Sequence, residues 1–213
     1  MFKSVGLIRT VVSRIVRAER LALQDYEQGR TQQEPQITDR LIAYIQLNLN
    51  GKRFSGIDWK AVTLPDRGPR SAESQLGADL LCALELRLNG FSVSKGFLVQ
   101  AKKIEPSHPF RAQDYQELKA QCEKMLDISG ASFVFLYSLQ SGIRVVPAIS
   151  IVGARSCNPH ELESISLGEC FMVHFECFLG DRRLAPAVGK TLQHLLEEKR
   201  AKRVLLISGT EAD

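Results

Sequence analysis

The stretch Gly77-Ala-Asp-Leu-Leu-Cys-Ala-Leu-Glu-Leu-Arg-Leu-Asn-Gly-Phe-Ser-Val-Ser-Lys-Gly-Phe-Leu-Val-Gln-Ala-Lys-Lys103 decides the fold. Ala78–Leu88 is an apolar run of β character, and Gly96–Lys102 is a second strand. Between them stands Asn89-Gly90, a strong hairpin signal because glycine takes positive φ freely. In a hairpin the start of one strand lies beside the end of the other. Side chains alternate along a strand, so Gln100 and Lys102 share one face and Ala101 takes the opposite one. An acid (Asp79), an amide (Gln100) and an ammonium (Lys102) are therefore expected at one sheet edge, facing the chain that carries Glu73.

Downstream, a loop with Pro106 and Pro109 leads into a helix over residues 113–127, with Tyr115, Leu118, Cys122, Met125 and Leu126 at helical spacing. Ser132–Tyr137 is nearly all apolar and reads as a strand buried on both faces. Ile143–Ile151 reads as a further strand, interrupted by Pro147. Upstream, residues 5–28 form one amphipathic pattern ending at Gly29, and Thr31–Pro35 separates it from a second helix. Thr38 is the expected N-cap there, Leu41, Ile42, Ile45 and Leu49 the apolar face, and Asn50-Gly51 the end. Residues 51–77 are loop-rich, with a short strand around Ile57–Leu64 before Pro65, Gly68 and Pro69. Beyond Asn158-Pro159, Cys170–Leu179 looks like a strand, Pro186–Arg203 like a helix with a basic end, and Ser208–Asp213 like a frayed tail. This order predicts an α/β fold: residues 1–155 as a core with a mixed central sheet flanked by helices, and residues 156–213 as a C-terminal α/β extension packed on it.

Composition narrows the classes. Of 213 residues, 44% are hydrophobic and 24% charged, which excludes collagenous and disordered chains. No apolar run approaches the roughly 18 residues of a spanning helix, so no membrane partner is expected. The first eighteen residues carry Lys3, Arg9, Arg14 and Arg17 without an acid, as a transit peptide would. The apolar pattern runs on past them, however, and predicts an integral helix. The net charge of +4 permits a nucleic-acid partner without demanding one. The five cysteines form no Cys-x-x-Cys pair, which argues against a zinc ribbon and for buried thiols in a reducing cytoplasm. His108, His160, His174 and His194 are dispersed, and no phosphate-binding glycine loop is present.

The chemistry of the hairpin edge is more specific. A carboxylate holds a hard divalent cation, the cation polarises a phosphodiester and acidifies a bound water, and an adjacent lysine steadies the developing charge. Lys52, Arg53, Lys60, Arg67 and Arg70 precede the edge in sequence and suit phosphate contacts. Each residue also has a plainer reading. Asp79 can cap a strand, Lys102 can be a solvated edge charge, Glu34 can favour a helix start, and Lys199–Arg203 can be a cationic helix end. Pro65-Asp66 lies in a Pro/Gly loop and is set aside in favour of Asp79.

Gly77-Ala78-Asp79, a hairpin, then Leu98-Val99-Gln100-Ala101-Lys102-Lys103 resembles the PD-(D/E)XK nuclease superfamily, in the Gln-x-Lys form of Mrr-type restriction endonucleases. The chain is also similar over residues 30–150 to prokaryotic proteins sharing the Gly-Ala-Asp and Gln-Ala-Lys elements. The resemblance implies a restriction-endonuclease-like fold. It implies a Mg²⁺- (or Mn²⁺-) dependent nuclease, acting on DNA ahead of RNA, with defence against foreign DNA as its setting. Asp79, Gln100 and Glu73 would hold metal, Glu34 would assist, and Lys102 would orient the attacking water. Lys52, Arg53, Arg67, Arg70, Lys103 and Gln121 would meet substrate, and a homodimer fits the class. The missing acid at position 100 keeps open a non-catalytic, nuclease-derived binding or regulatory module. An RNA-directed nuclease or toxin is the third alternative.

Overall fold

Leu88 stands opposite Phe91 with Asn89-Gly90 between them, and Gly90 takes the φ of +73° that the turn requires. A computed structural model of the protein describes residues 5–65, 78–185 and 201–211. In chain order it contains helices α1 (Val5–Glu27) and α2 (Glu34–Leu49), then strands β1 (Lys52–Phe54), β2 (Ile57–Pro65), β3 (Leu80–Leu88) and β4 (Phe91–Lys103). Next come α3 (Ala112–Ile128), β5 (Ser132–Ser138), β6 (Gly142–Pro147), α4 (Ala148–Gly153), β7 (Ile165–Ser166), α5 (Leu167–Phe175) and β8 (Arg203–Glu211). The protein is α/β, with a mixed eight-stranded sheet in the order β1-β2-β8-β3-β4-β5-β6-β7 flanked by helices. Among the described residues no helix is long and apolar enough to cross a membrane.

Strand alternation feeds two cores. Leu80, Cys82, Leu84, Val99 and Ala101 join the buried side chains of α1, α2 and α5. Leu81, Leu98, Val134 and Leu136 instead join Tyr115, Leu118, Cys122 and Met125 of α3, with Ile151 of α4. Burial on both faces explains why β3 and β5 read as continuous apolar runs. Each fully buried leucine or methionine of α3 contributes about 1.5–3 kcal/mol, which holds the helix at its expected place.

Several elements differ from expectation. Helix α2 starts a turn early, because Gln36 Oε1 accepts the N–H groups of Gln32 (2.9 Å) and Gln33 (3.1 Å) and Pro35 suits a first turn. Thr38 is therefore inside the helix, and its hydroxyl donates to Glu34 O at 2.9 Å. Strand β6 ends at Pro147, which has no N–H to continue a ladder, and α4 follows where more strand was expected. The expected strand Cys170–Leu179 is largely helix α5. Ser166 Oγ accepts Glu169 N–H (3.2 Å) while Glu169 Oε2 accepts Ser166 N–H (2.7 Å), a reciprocal cap that a short apolar run does not reveal by periodicity.

As far as Glu211, where the described residues end, the expected frayed tail is ordered strand. Ser208 pairs with Lys60 on one side and Glu85 on the other, as β8 runs antiparallel to β2 and parallel to β3. Residues 203–211 thus lie inside the sheet, between strands from the first half of the chain. Arg203, expected at a helix end, is the first residue of β8. Residues 186–200 of the expected helix lie outside the described residues. After α5 the chain crosses β4, where Gly96 and Asp181 exchange backbone hydrogen bonds of 3.0 and 2.8 Å. A Cβ at Gly96 would lie 2.5 Å from Leu184 O, so the strand needs glycine at this crossing.

One end of the sheet collects what matters for chemistry. The registers Leu80↔Val99, Leu81↔Val204, Pro65↔Arg203 and Lys103↔Tyr137 put there the starts of β3 and β8 and the ends of β2, β4 and β5.

Candidate functional site

Asp79 lies one residue before β3, held by its own N–H, which donates to Val99 O at 2.8 Å. The hairpin register then brings its carboxylate to residues 100 and 101. Oδ2 accepts the Ala101 N–H at 3.0 Å and a short hydrogen bond from Gln100 Nε2. A carboxylate has no proton to give here, so the amide must present its NH2 group. Gln100 is buried, and the Asp79 side chain is 14% exposed. Acid and amide meet at the sheet end.

The outer oxygen has a partner that the sequence did not suggest. Lys202 Nζ lies 3.0 Å from Asp79 Oδ1. Lys202 N–H donates to Ala78 O at 3.3 Å, and Ala201 bridges to Ala78, so its backbone is fastened beside Asp79. In sequence Lys202 is one of a basic cluster, and only the placement of β8 against β3 gives it this role. Its neighbour Arg203 forks onto Asp39 of α2, with Nη2 to Oδ2 at 3.2 Å.

Lys102 shares the strand face of Leu98 and Gln100, toward α3. It forms no hydrogen bond or ion pair with another described residue. It lies close enough to Cys122 to act on that thiol: burial pushes Cys122 up to about 12, the Lys102 ammonium opposes this, and Glu123 adds to it. On the same helix, Gln121 Oε1 is buried without a hydrogen-bond partner among the described residues, a standing cost unless another group uses it.

The remaining candidates divide. Glu34 reaches the end of β4 from the α2 side, where its Oε1 accepts the Lys103 N–H at 3.0 Å. Lys103 points the same way, its ammonium donating to Gln32 O at 2.7 Å and lying 5.6 Å from the centre of the Tyr26 ring. Lys52 and Arg53 belong to the other end of the sheet. Lys52 pairs with Trp59, six residues before Pro65, so roughly 20 Å of strand separates them from the start of β8. Arg53 is also committed to Asp58, by bonds of 2.7 and 2.8 Å. Glu73, Arg67 and Arg70 lie outside the described residues.

Behind the site Tyr137 is fully buried, and burial raises its phenol well above the ordinary range. The charge of Asp79 adds to this and the contact with Thr38 opposes it. The phenol stays protonated and donates to Thr38 Oγ1 at 2.8 Å, since that hydroxyl spends its one proton on Glu34 O. His108 contacts Ser107, His160 contacts Ile104 O, and His174 is buried against Phe97, Phe171 and Phe175; none of these three has a hydrogen bond or ion pair with Asp79 or Gln100. All five cysteines are free thiols. Among the described residues no three histidine, cysteine or acidic side chains gather as a metal cluster. The oxygen donors on hand are the Asp79 carboxylate and the Gln100 amide. Comparisons with protein-family models, with curated proteins and with solved structures found no match to the chain.

Proposed function

We propose that the protein is a metal-dependent nuclease with a restriction-endonuclease-like core, cutting phosphodiester bonds in DNA. The observation that carries this reading is the meeting of Asp79 with Gln100 at the hairpin edge, with Lys102 two residues along the same strand face. Three further points support it. A helix bearing Glu34 precedes the hairpin and meets the end of its second strand. A helix and a buried strand follow the lysine. Gln121 on that helix keeps an unspent amide oxygen.

The donor chemistry fits a divalent cation. Asp79 Oδ1 already faces a positive charge, that of Lys202, and Mg²⁺ commonly takes one or two carboxylates and fills its shell with water and phosphate oxygens. Asp79 would hold the ion through Oδ1, and Gln100, whose NH2 group faces Oδ2, would steady the carboxylate from the inner side. When bound it supplies Lewis acidity toward the phosphate and an acidified water. The chain's own residues do the rest. The Ala101 N–H fixes Asp79 Oδ2 so that the other oxygen points outward. The Lys102 ammonium, without a partner among the described residues, orients the attacking water and balances charge gathering on the phosphate.

The test is plasmid cleavage by the purified protein with Mg²⁺ or Mn²⁺, against an EDTA control. Cleavage should require the metal and fall about 10²–10⁴-fold in Lys102→Ala, the range for losing a positioned proton-handling group. Equal cleavage by the variant removes Lys102 from the mechanism. DNA binding without cutting by a well-folded wild type turns the assignment to a binding module, and cutting of RNA alone turns it to an RNA-directed nuclease.

A further inference from the structure

The two oxygens of Asp79 are used differently. Oδ2 faces inward onto the Ala101 N–H and the Gln100 amide, donors fixed by strand β4. Oδ1 faces Lys202, whose side chain is 39% exposed and ends in a flexible four-carbon stem. The inward bonds are part of the sheet, whereas the outward ion pair is free to open.

From this arrangement we infer that Lys202 is a resident counter-cation of Asp79, occupying the place of a divalent metal and leaving when the metal arrives. Resting on the nuclease reading, this adds a residue which that reading does not use. The physical grounds are local. A metal bound to Oδ1 sits about 2 Å from the oxygen, and an ammonium at 3.0 Å from the same atom is then within strong mutual repulsion. One cation must go. The Lys202 backbone is fastened to Ala78, so the side chain leaves by swinging into solvent while the strand stays in place. The ammonium is the more exposed partner of the pair, so it can move into water as the metal arrives, and it returns whenever the metal leaves. The carboxylate thus never faces solvent as an uncompensated charge, and metal affinity is held below what Asp79 alone would give.

The experiment is a Mn²⁺ titration of the full chain, following the paramagnetic resonance of free Mn²⁺ at fixed pH and ionic strength. Lys202→Met, which keeps the length of the side chain without its charge, should bind Mn²⁺ about three- to tenfold more tightly than wild type. Lys202→Gln should do the same, and Lys202→Arg should remain near wild type. Asp79→Asn should bind far less, and circular dichroism should show every variant folded. Equal or weaker binding by both neutral variants overturns the role of Lys202 while leaving the Asp79 metal site standing. Failure of wild type and all variants to take up Mn²⁺ overturns the metal-dependent reading and this inference with it.

Discussion

Asp25 and Asp79 are both carboxylates set among cations, and they are built in opposite ways. Asp25, on α1, accepts from Tyr44 Oη at 2.7 Å and Arg30 Nη1 at 3.0 Å, with Arg40 Nε at 3.6 Å. Its side chain is 4% exposed, and all three partners lie within the short stretch that joins and forms α1 and α2. Burial works against its charge, but Tyr44 and the two arginines outweigh it and hold the carboxyl below its ordinary range. Asp79 draws its partners from β4 and from Lys202, the residue just ahead of β8, segments that meet only when the sheet closes, and one of its oxygens faces a cation that can leave. A carboxylate saturated by near neighbours is a joint. A carboxylate whose outer oxygen faces a flexible ammonium is a place for exchange.

Exchanging the two roles is the strongest way to break that contrast. Asp79→Asn should lower metal-dependent cleavage by about 10²-fold or more, with little change in melting temperature. A fall in stability matching the fall in cleavage would make Asp79 a joint after all. Acid comes next. His174 is buried among aromatic rings, and burial, with the nearby Lys95 ammonium, lowers it to about 3 despite its contact with Leu179 O. The unfolded chain takes up this proton from about pH 6.5 and the folded one only near 3. Between these values the unfolded state holds more protons, and stability falls as pH falls. Urea unfolding at pH 6.5 and pH 5 should show a loss of about 2 kcal/mol, reduced in His174→Phe.

Asp25→Asn should cost about 1.5 kcal/mol of stability, measured by denaturant midpoint at neutral pH, and leave cleavage per folded molecule unchanged. Because the folded carboxyl is depressed, that contribution is present above the unfolded value near 4 and disappears as pH falls through the folded one. The difference between wild type and variant should therefore shrink in acid. Smallest is Arg53→Ala. Its ion pair with Asp58 is exposed and lies at the far end of the sheet, so stability and DNA affinity should both hardly change. A severalfold loss of affinity would place DNA along β1.

What the sequence made legible follows the range of the interactions. Asp79 and Gln100 could be paired because the turn joining their strands is written in two adjacent residues. Helix α3 and strand β5 carried their own periodicity. Helix α5 did not, since its apolar residues suit either period until Ser166 and Glu169 are seen to cap it. Lys202 could not be found without knowing that β8 enters between β2 and β3, a pairing with no local signature. Lys52 and Arg53 show the complementary limit: close to Asp79 in sequence, they are carried to the other end of the sheet by the full length of β2.

The place of β8 also bears on how the molecule comes into being. Strands β2 and β3 are made early, and the slot between them is filled by residues 203–211. During synthesis both strands wait with open edges and apolar side chains, the condition in which nascent sheets aggregate. Closing the slot is a long-range event, and such events are slow. Lys202 reaches Asp79 in the same movement, so the acid acquires its guard only when the sheet is whole.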